Sequence, residues 1–271
     1  MSKSWFSIIF FVLIATLVYT MSINVVYAAF AGPNNPGTAV NDSSVGTVGW
    51  VNPKNVNLSD NVYATVSVDG STSNYLKVTN FNFSIPSNAL IKGIIVEVEV
   101  KSSSTNQGGS KDSAVRIVKG GTTGANDRAN STIYTTSDVN MSHGNLTDLW
   151  GETWIPNDIN SANFGAAIAV TKNSSAGVSH TVSINNIRIK VYYNSPPDTN
   201  NDNLTVLEDS SATVINVTGN DIDADGDNLT IISVTQGTNG SVAIVNSAGT
   251  VSYTPNSNFF GIDSFTYIVS D

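Results

Sequence analysis

The sequence predicts an all-β protein built from two consecutive β-sandwiches. Apolar and polar residues alternate with a period of two in many short segments, which is typical of strands with one buried face. After the first 28 residues, no window of a dozen residues has the spacing of an amphipathic helix. Turn-forming Gly, Asn and Ser clusters separate the alternating segments, as expected for short antiparallel strands.

The N-terminus predicts an export signal at residues 1–28. Lys3 gives a short positive start, residues 8–18 form an apolar core, and residues 26–28 offer a cleavage site with Ala28 at its end. The alternative is an uncleaved membrane anchor, because the apolar run is nearly long enough to span a bilayer. We therefore expect an extracellular or cell-surface protein that is exported by its signal peptide.

The first domain is predicted at residues 49–194, after a Gly-, Pro- and Asn-rich leader loop at residues 29–48. Its clearest strand covers residues 94–101, where apolar residues at even positions would face the core and charged residues would face water. Similar alternation predicts further strands at residues 62–68, 81–85, 164–170 and 187–193. Short strands separated by turns favour a β-sandwich, either a simple sandwich or a jelly-roll-like one.

The second domain is predicted at residues 203–271, after a short semi-rigid linker at residues 195–202 that contains Pro196 and Pro197. Short alternating segments at this spacing are typical of an immunoglobulin-like sandwich. The predicted strands cover residues 204–208, 213–217, 228–234, 241–245, 250–254 and 264–269.

Composition excludes several classes of function. The formal net charge is −9 and no basic cluster occurs, so nucleic acid is a poor partner. The chain has no cysteine, which excludes disulfides, thiolate metal sites and cysteine nucleophiles. Its two histidines, His143 and His180, do not have metal-ligand or nucleophile spacing, and no phosphate-binding loop for a nucleotide is present. We expect the protein not to be an enzyme.

An acidic motif in the second domain predicts a calcium site. Asp221, Asp223, Asp225 and Asp227 occupy alternate positions, with Gly226 at the bend, in the pattern of the first half of an EF-hand loop. The position that would supply the bidentate glutamate is Ile232, so distant residues must complete the site. The alternative is a turn without an ion, because Asp and Gly tolerate tight backbone geometry.

A pair of tryptophans in the first domain predicts a sugar contact. Trp150 and Trp154 could form an aromatic platform, with Asp148 and Glu152 close enough in sequence to bind hydroxyl groups. The alternative is that one tryptophan lies in the core and the other is partly exposed.

Three stretches of the second domain carry a family resemblance: residues 207–230 (LEDSSATVINVTGNDIDADGDNLT), 240–255 (GSVAIVNSAGTVSYTP) and 259–271 (FFGIDSFTYIVSD). In this order they resemble the immunoglobulin-like, cadherin-like repeats that occur in tandem in bacterial and archaeal surface proteins and adhesins. The first domain resembles more loosely an uncharacterised jelly-roll module of surface and phage-associated proteins. Its matching stretches are GWVNPKNV, SNYLKVTNFNFSIPSNALIKGIIVEVEV and LTDLWGETWIPNDINSANFGAAI.

The resemblance implies a structural or adhesive protein of the cell surface, such as an S-layer component. It implies that Glu208, Asp209 or Asp271 completes the calcium site. Repeats of this family continue past the VSD segment into a final strand, so we expect this repeat to lack its last strand and further repeats of the same chain to follow. The expected partners are a cell-surface protein or glycan. The alternative function is a carbohydrate-binding module of a larger extracellular enzyme.

Overall fold

The computed structural model describes residues 29–173 and 177–271, and the regular structure in these ranges is almost entirely β. The helical elements described are a 3-10 helix at Pro53–Val56 and a five-residue α-helix, α1, at Pro156–Asn160. Neither is long and apolar enough to cross a membrane, and the predicted signal peptide lies outside the described residues. The predicted all-β fold class is confirmed.

Two five-stranded antiparallel sheets form the first domain. In one sheet the order is β1-β10-β5-β8, with β3 also paired to β10, and in the other it is β2-β4-β9-β6-β7. The strands are β1 (Ala29–Asn34), β2 (Thr38–Asp42), β3 (Ala64–Val68), β4 (Tyr75–Thr79), β5 (Leu90–Ser102), β6 (Ser110–Lys119), β7 (Thr122–Thr123), β8 (Val139–Gly144), β9 (Gly165–Lys172) and β10 (His180–Asn194).

The first core lies between these two sheets. From Ile94 onward the even-numbered residues of β5 point inward as predicted, as do the odd-numbered residues near the end of β10, and Val96 and Ile189 are fully buried. The facing sheet contributes Leu76, Ile117 and Ile168, which are also buried. Burial of this continuous apolar layer is the main force that stabilises a sandwich of this kind.

The leader loop predicted at residues 29–48 is wrong, because this segment forms β1 and β2. Strand β1 pairs antiparallel with β10, and β2 pairs with β4. The glycine that suggested a loop, Gly32, lies where the β1 register shifts and has a positive φ of 92°. A Cβ there would lie 2.5 Å from the carbonyl oxygen of Ile189, so this glycine permits close approach of two strands.

Residues 81–85 alternate as predicted but do not form a strand. Phe81, Phe83 and Ile85 are buried, while Asn80 and Asn82 adopt left-handed φ angles of 63° and 53°. Asparagine tolerates this conformation, but it interrupts the extended backbone that a ladder requires. The segment therefore buries its side chains without sheet pairing.

The second domain has two small sheets, ordered β11-β14-β13 and β12-β15. Its buried core consists of Val217, Ile231, Val242, Val251 and Tyr253. The strand predicted at residues 204–208 is absent, although Val206 still packs against the core. The strands are β11 (Thr213–Asn216), β12 (Thr230–Val234), β13 (Gly240–Asn246), β14 (Thr250–Pro255) and β15 (Tyr267–Ser270).

The predicted linker at residues 195–202 runs along the second domain. Asp198 and Ile222 exchange two backbone hydrogen bonds, of 2.8 and 2.9 Å. Further along, the backbone N–H of Asn200 donates to Asp221 Oδ1 at 2.8 Å. These bonds fix the segment to the loop between β11 and β12, so its position is set by more than the stiffness of Pro196 and Pro197.

Candidate metal centre

Three aspartates of the loop between β11 and β12 come together. One ligand oxygen from each of Asp223, Asp225 and Asp227 lies within 4.8 Å of the others. The loop builds itself around Asp223, whose Oδ1 accepts the backbone N–H groups of Asp225 at 2.8 Å and Asp227 at 3.1 Å. Gly226 has a φ of 80°, which allows the bend between the last two carboxylates. The local sequence alone therefore brings these side chains together.

Two oxygens of this cluster lack a hydrogen-bond partner although they are buried: Asp223 Oδ2 and Asp227 Oδ2. Burial raises the pKa of the Asp227 carboxyl, and the charges of its neighbours Asp223, Asp225 and Asp271 raise it further. A buried polar atom without a partner costs free energy, which a cation bound to it would offset. The donors are hard carboxylate oxygens, the kind that Ca²⁺ binds, so the residues present fit a calcium ion.

The cluster lies at the junction of the two domains. Asp225 Oδ2 accepts the backbone N–H of Ser195 at 2.5 Å, one residue after β10 ends. Asn194, the last residue of β10, donates its side-chain N–H to Asp271 Oδ2 at 2.7 Å. Burial raises the pKa of Tyr193, and the charge of Asp225 raises it further. The acidic loop is thus attached directly to the chain that leaves the first domain.

Beside this attachment the two domains are separated by a cleft of about 390 Å³. Pro86 and Asn88 line it from the first domain, and Ile222 and Ala224 line it from the second. Pro196 and Pro197 of the connecting segment also line it. The hydrogen bond between Ser195 and Asp225 therefore holds the first residue after β10 close to this cleft.

The other predicted ligands are placed unequally. Asp271 is near enough to affect the pKa of Asp227, whereas Asp221 turns away and accepts from Asn200. Asp209 accepts the backbone N–H of Asn258 at 2.8 Å, and Glu208 is exposed to solvent. The structure brings Asp223, Asp225 and Asp227 together, with Asp271 beside them, and leaves Asp221, Glu208 and Asp209 outside this group.

Sequence reasoning missed a second polar group, around the hydroxyl of Tyr267. This hydroxyl lies 2.7 Å from the carbonyl oxygen of Val217, 3.1 Å from Asp221 Oδ2 and 3.2 Å from Asp202 Oδ2. Burial raises the pKa of Tyr267, and the two carboxylates raise it further. Burial likewise raises the pKa of Asp202. The group fastens residues 200–202 to β15, and no residue spacing in the sequence signals it.

The predicted sugar platform is not formed, because both tryptophans are core residues. Trp150 is 0% exposed and Trp154 is 8% exposed, and each indole N–H donates to a backbone carbonyl at 2.9 Å. Asp148 binds Arg128 with two hydrogen bonds, of 2.6 and 2.9 Å, which lower the pKa of the Asp148 carboxyl. Glu152 is only partly exposed. Buried indoles offer no ring face to a sugar, so both tryptophans serve the core.

Both histidines serve the interior of the first domain. The side chain of His143 is buried with Nδ1 3.0 Å from the carbonyl oxygen of Arg128, and its Nε2 lies 3.7 Å from Asp112 Oδ2. Asp112 also accepts from Tyr134, whose pKa is raised well above its usual value by burial. Burial lowers the pKa of His180.

Comparison with known proteins defines the class of the second domain. Residues 194–271 match the model of the family described as Bacterial Ig domain, so this part of the chain is an immunoglobulin-like domain. Domains of this family are typically non-catalytic and typically occur in extracellular or surface proteins. The match starts at Asn194 and so includes the segment that was predicted to be a linker.

No curated protein matches the chain. Among solved structures, one similar chain is described as "BiXyn10A CBM1 APO", with 8% sequence identity and a TM-score of 0.29. The similarity covers 60% of this chain and 96% of that one. At this TM-score the similarity carries no argument about function.

Proposed function

We propose that this protein is a secreted or cell-surface structural or adhesion protein. In this proposal the immunoglobulin-like domain is a spacer that displays the first domain, and Ca²⁺ bound at Asp223, Asp225 and Asp227 stiffens it. The surface role is supported by the family match, because bacterial Ig domains typically occur on surface proteins. The calcium role is supported by one observation above all, the two buried carboxylate oxygens without a hydrogen-bond partner.

A cation at this cluster would act on the junction as well as on the loop. It would neutralise the repulsion that raises the pKa of Asp227 and would hold Asp225 in place. Because Asp225 also accepts from Ser195, fixing its carboxylate restrains the chain at the end of β10. The domain angle would then be held by an ion-supported loop in addition to the backbone bonds of Asp198.

Isothermal titration with CaCl₂ tests the site. We expect the wild-type protein to bind with a Kd of roughly 10⁻⁴ to 10⁻³ M, as extracellular modules do. Asp227→Asn should weaken binding by about tenfold or more, since one unit of ligand charge is lost. Glu208→Gln is the matched control, because Glu208 is exposed and outside the cluster. Absence of binding, or equal weakening by both variants, would contradict the proposed site.

Distance measurements between spin labels test the stiffening. The chain has no cysteine, so labels can be attached at Leu146→Cys and Val245→Cys alone, one exposed position in each domain. We expect the distribution of label distances to narrow when Ca²⁺ is added. A distribution of unchanged width in protein that binds calcium by titration would refute the spacer mechanism and leave the metal site in place.

A further inference from the structure

An exposed aromatic pair lies on the outer face of the first sheet, away from the core. Phe30 of β1 and Tyr192 of β10 are neighbours in the antiparallel register, and their ring centroids are 6.0 Å apart. Phe30 is 54% exposed although it lies within a paired strand, and Tyr192 is partly exposed. The two rings therefore present aromatic surface to solvent on a rigid sheet, where strand pairing holds them.

A lysine is held over both rings. The ammonium nitrogen of Lys190 lies 3.6 Å from the ring centroid of Phe30 and 5.0 Å from that of Tyr192. In the described ranges, no carboxylate lies within ion-pair distance of Lys190, whereas its strand neighbour Arg188 is paired with Glu97 at 3.1 Å. Cation–π attraction thus places a positive charge that lacks a counter-ion on the surface of a chain with a net charge of −9.

We propose that Phe30, Lys190 and Tyr192, the aromatic–lysine surface, bind a uronic acid unit of an acidic polysaccharide. The ammonium of Lys190 covers one face of Phe30, so in this proposal the sugar carboxylate draws Lys190 aside and exchanges its cation–π contact for an ion pair. The C–H face of the pyranose ring then packs on the uncovered aromatic rings, which supply apolar contact, and tyrosine adds a hydroxyl that can form a hydrogen bond. A sugar carboxylate supplies the negative charge that Lys190 lacks. A neutral sugar would satisfy the rings and leave the lysine without a partner. Charge complementarity therefore favours an acidic sugar over a neutral one, and the two adjacent rings favour a flat pyranose face as the apolar part of the ligand.

Affinity electrophoresis of the exported protein tests this surface, with polygalacturonate or neutral dextran in the gel. We expect retardation by polygalacturonate and none by dextran. Lys190→Ala and Phe30→Ala should each weaken binding roughly tenfold, by loss of the ion pair or of the ring contact. Lys111→Ala is the matched control, because Lys111 lies on β6 in the opposite sheet. Circular dichroism of each variant establishes that the sheet is intact.

Four results of the electrophoresis without a competitor would overturn the proposal. They are absence of retardation by polygalacturonate, equal retardation by dextran, full retention of binding in both surface variants, and equal loss in Lys111→Ala, which would indicate non-specific charge attraction. Polyglutamate added as a competitor separates the sugar from an acidic protein partner. Equal competition by polyglutamate at the same charge concentration would assign the surface to acidic protein and contradict the glycan proposal.

Discussion

Removal of calcium should lower the melting temperature of the second domain and leave the first unchanged. The two domains have separate cores, one between the large sheets and one around Val217, Val251 and Tyr253. We therefore expect two thermal transitions, and the transition of the first domain serves as an internal control. The proposed ion lies in the loop between β11 and β12, so its binding energy belongs to the second transition.

The size of the effect follows from mass action. For a Kd of about 0.1 to 1 mM and about 2 mM calcium, binding stabilises the folded domain by RT ln(1 + [Ca²⁺]/Kd), or roughly 0.6 to 1.8 kcal/mol. For a domain of this size, each kcal/mol of stability corresponds to about 4 to 8 °C in melting temperature. Chelation should therefore lower the melting temperature of the second domain by roughly 3 to 14 °C.

Differential scanning calorimetry with and without EGTA measures this shift. The Asp227→Asn variant should show a smaller shift than the wild type, because its site is impaired before the chelator is added. An unchanged second transition would refute the calcium reasoning. Equal shifts of both transitions would also refute it, since they would indicate an effect of the chelator that is not confined to the acidic loop.

Three further predictions concern stability. Arg128 lowers the pKa of the Asp148 carboxyl in the folded protein. This pair therefore stabilises the first domain at pH values above the unfolded pKa of the carboxyl, near 3.8, and the stabilisation is lost as the pH falls through the lower folded pKa. Circular dichroism follows the melting temperature of the first domain from about pH 5 to about pH 2.5. This temperature should fall less in Asp148→Asn than in the wild type, and an equal fall in both would contradict the role of the Arg128–Asp148 pair. Phe164→Ala removes a buried ring in contact with three aromatic neighbours and should cost about 3 to 5 kcal/mol in urea unfolding. Phe260→Ala, at an 83% exposed position, is its control, and equal costs would argue against the described core. Gly226→Ala should destabilise the second domain by about 1 kcal/mol, because φ is 80° while the space around it is open. Thermal unfolding of both variants measures this cost. Gly226→Asn should destabilise the second domain less than Gly226→Ala, and the reverse order would exclude backbone conformation as the cause of the destabilisation.

Local alternation predicted the strands that are buried on one face. Val96 and Ile189 point inward as expected, because side-chain direction in a strand depends only on the parity of the position. Residues 29–34 were not predicted as a strand because their partner is β10, about 160 residues away in sequence, and local composition does not report such pairing. At residues 81–85 the side-chain pattern was correct, but the left-handed Asn80 and Asn82 prevent pairing.

The candidate site was partly predictable, because some of its residues are close together in sequence. Asp223, Asp225 and Asp227 are close in sequence, so a single turn brings them together, and their spacing signals it. The family resemblance implied that Glu208 or Asp209 completes the calcium site, but both lie on a different loop. Asp209 instead accepts a hydrogen bond from the backbone N–H of Asn258. The contact of Ser195 with the cluster uses a backbone N–H, which has no sequence signature. Likewise, the pair Trp150 and Trp154 gave no indication that both rings would be buried.

The pairing of β1 with β10 determines how the first domain would respond to a mechanical load. Ala29, the first described residue, is the register partner of Tyr193, so the start of β1 and the end of β10 lie side by side in one sheet. A pull applied through these two points acts across the hydrogen bonds between the strands and separates them one at a time, starting from Ala29. The longer ladder between β5 and β10 would carry little of this load until β1 had detached. Under tension, the short strand β1 would therefore give way first and lengthen the molecule while the core stays folded.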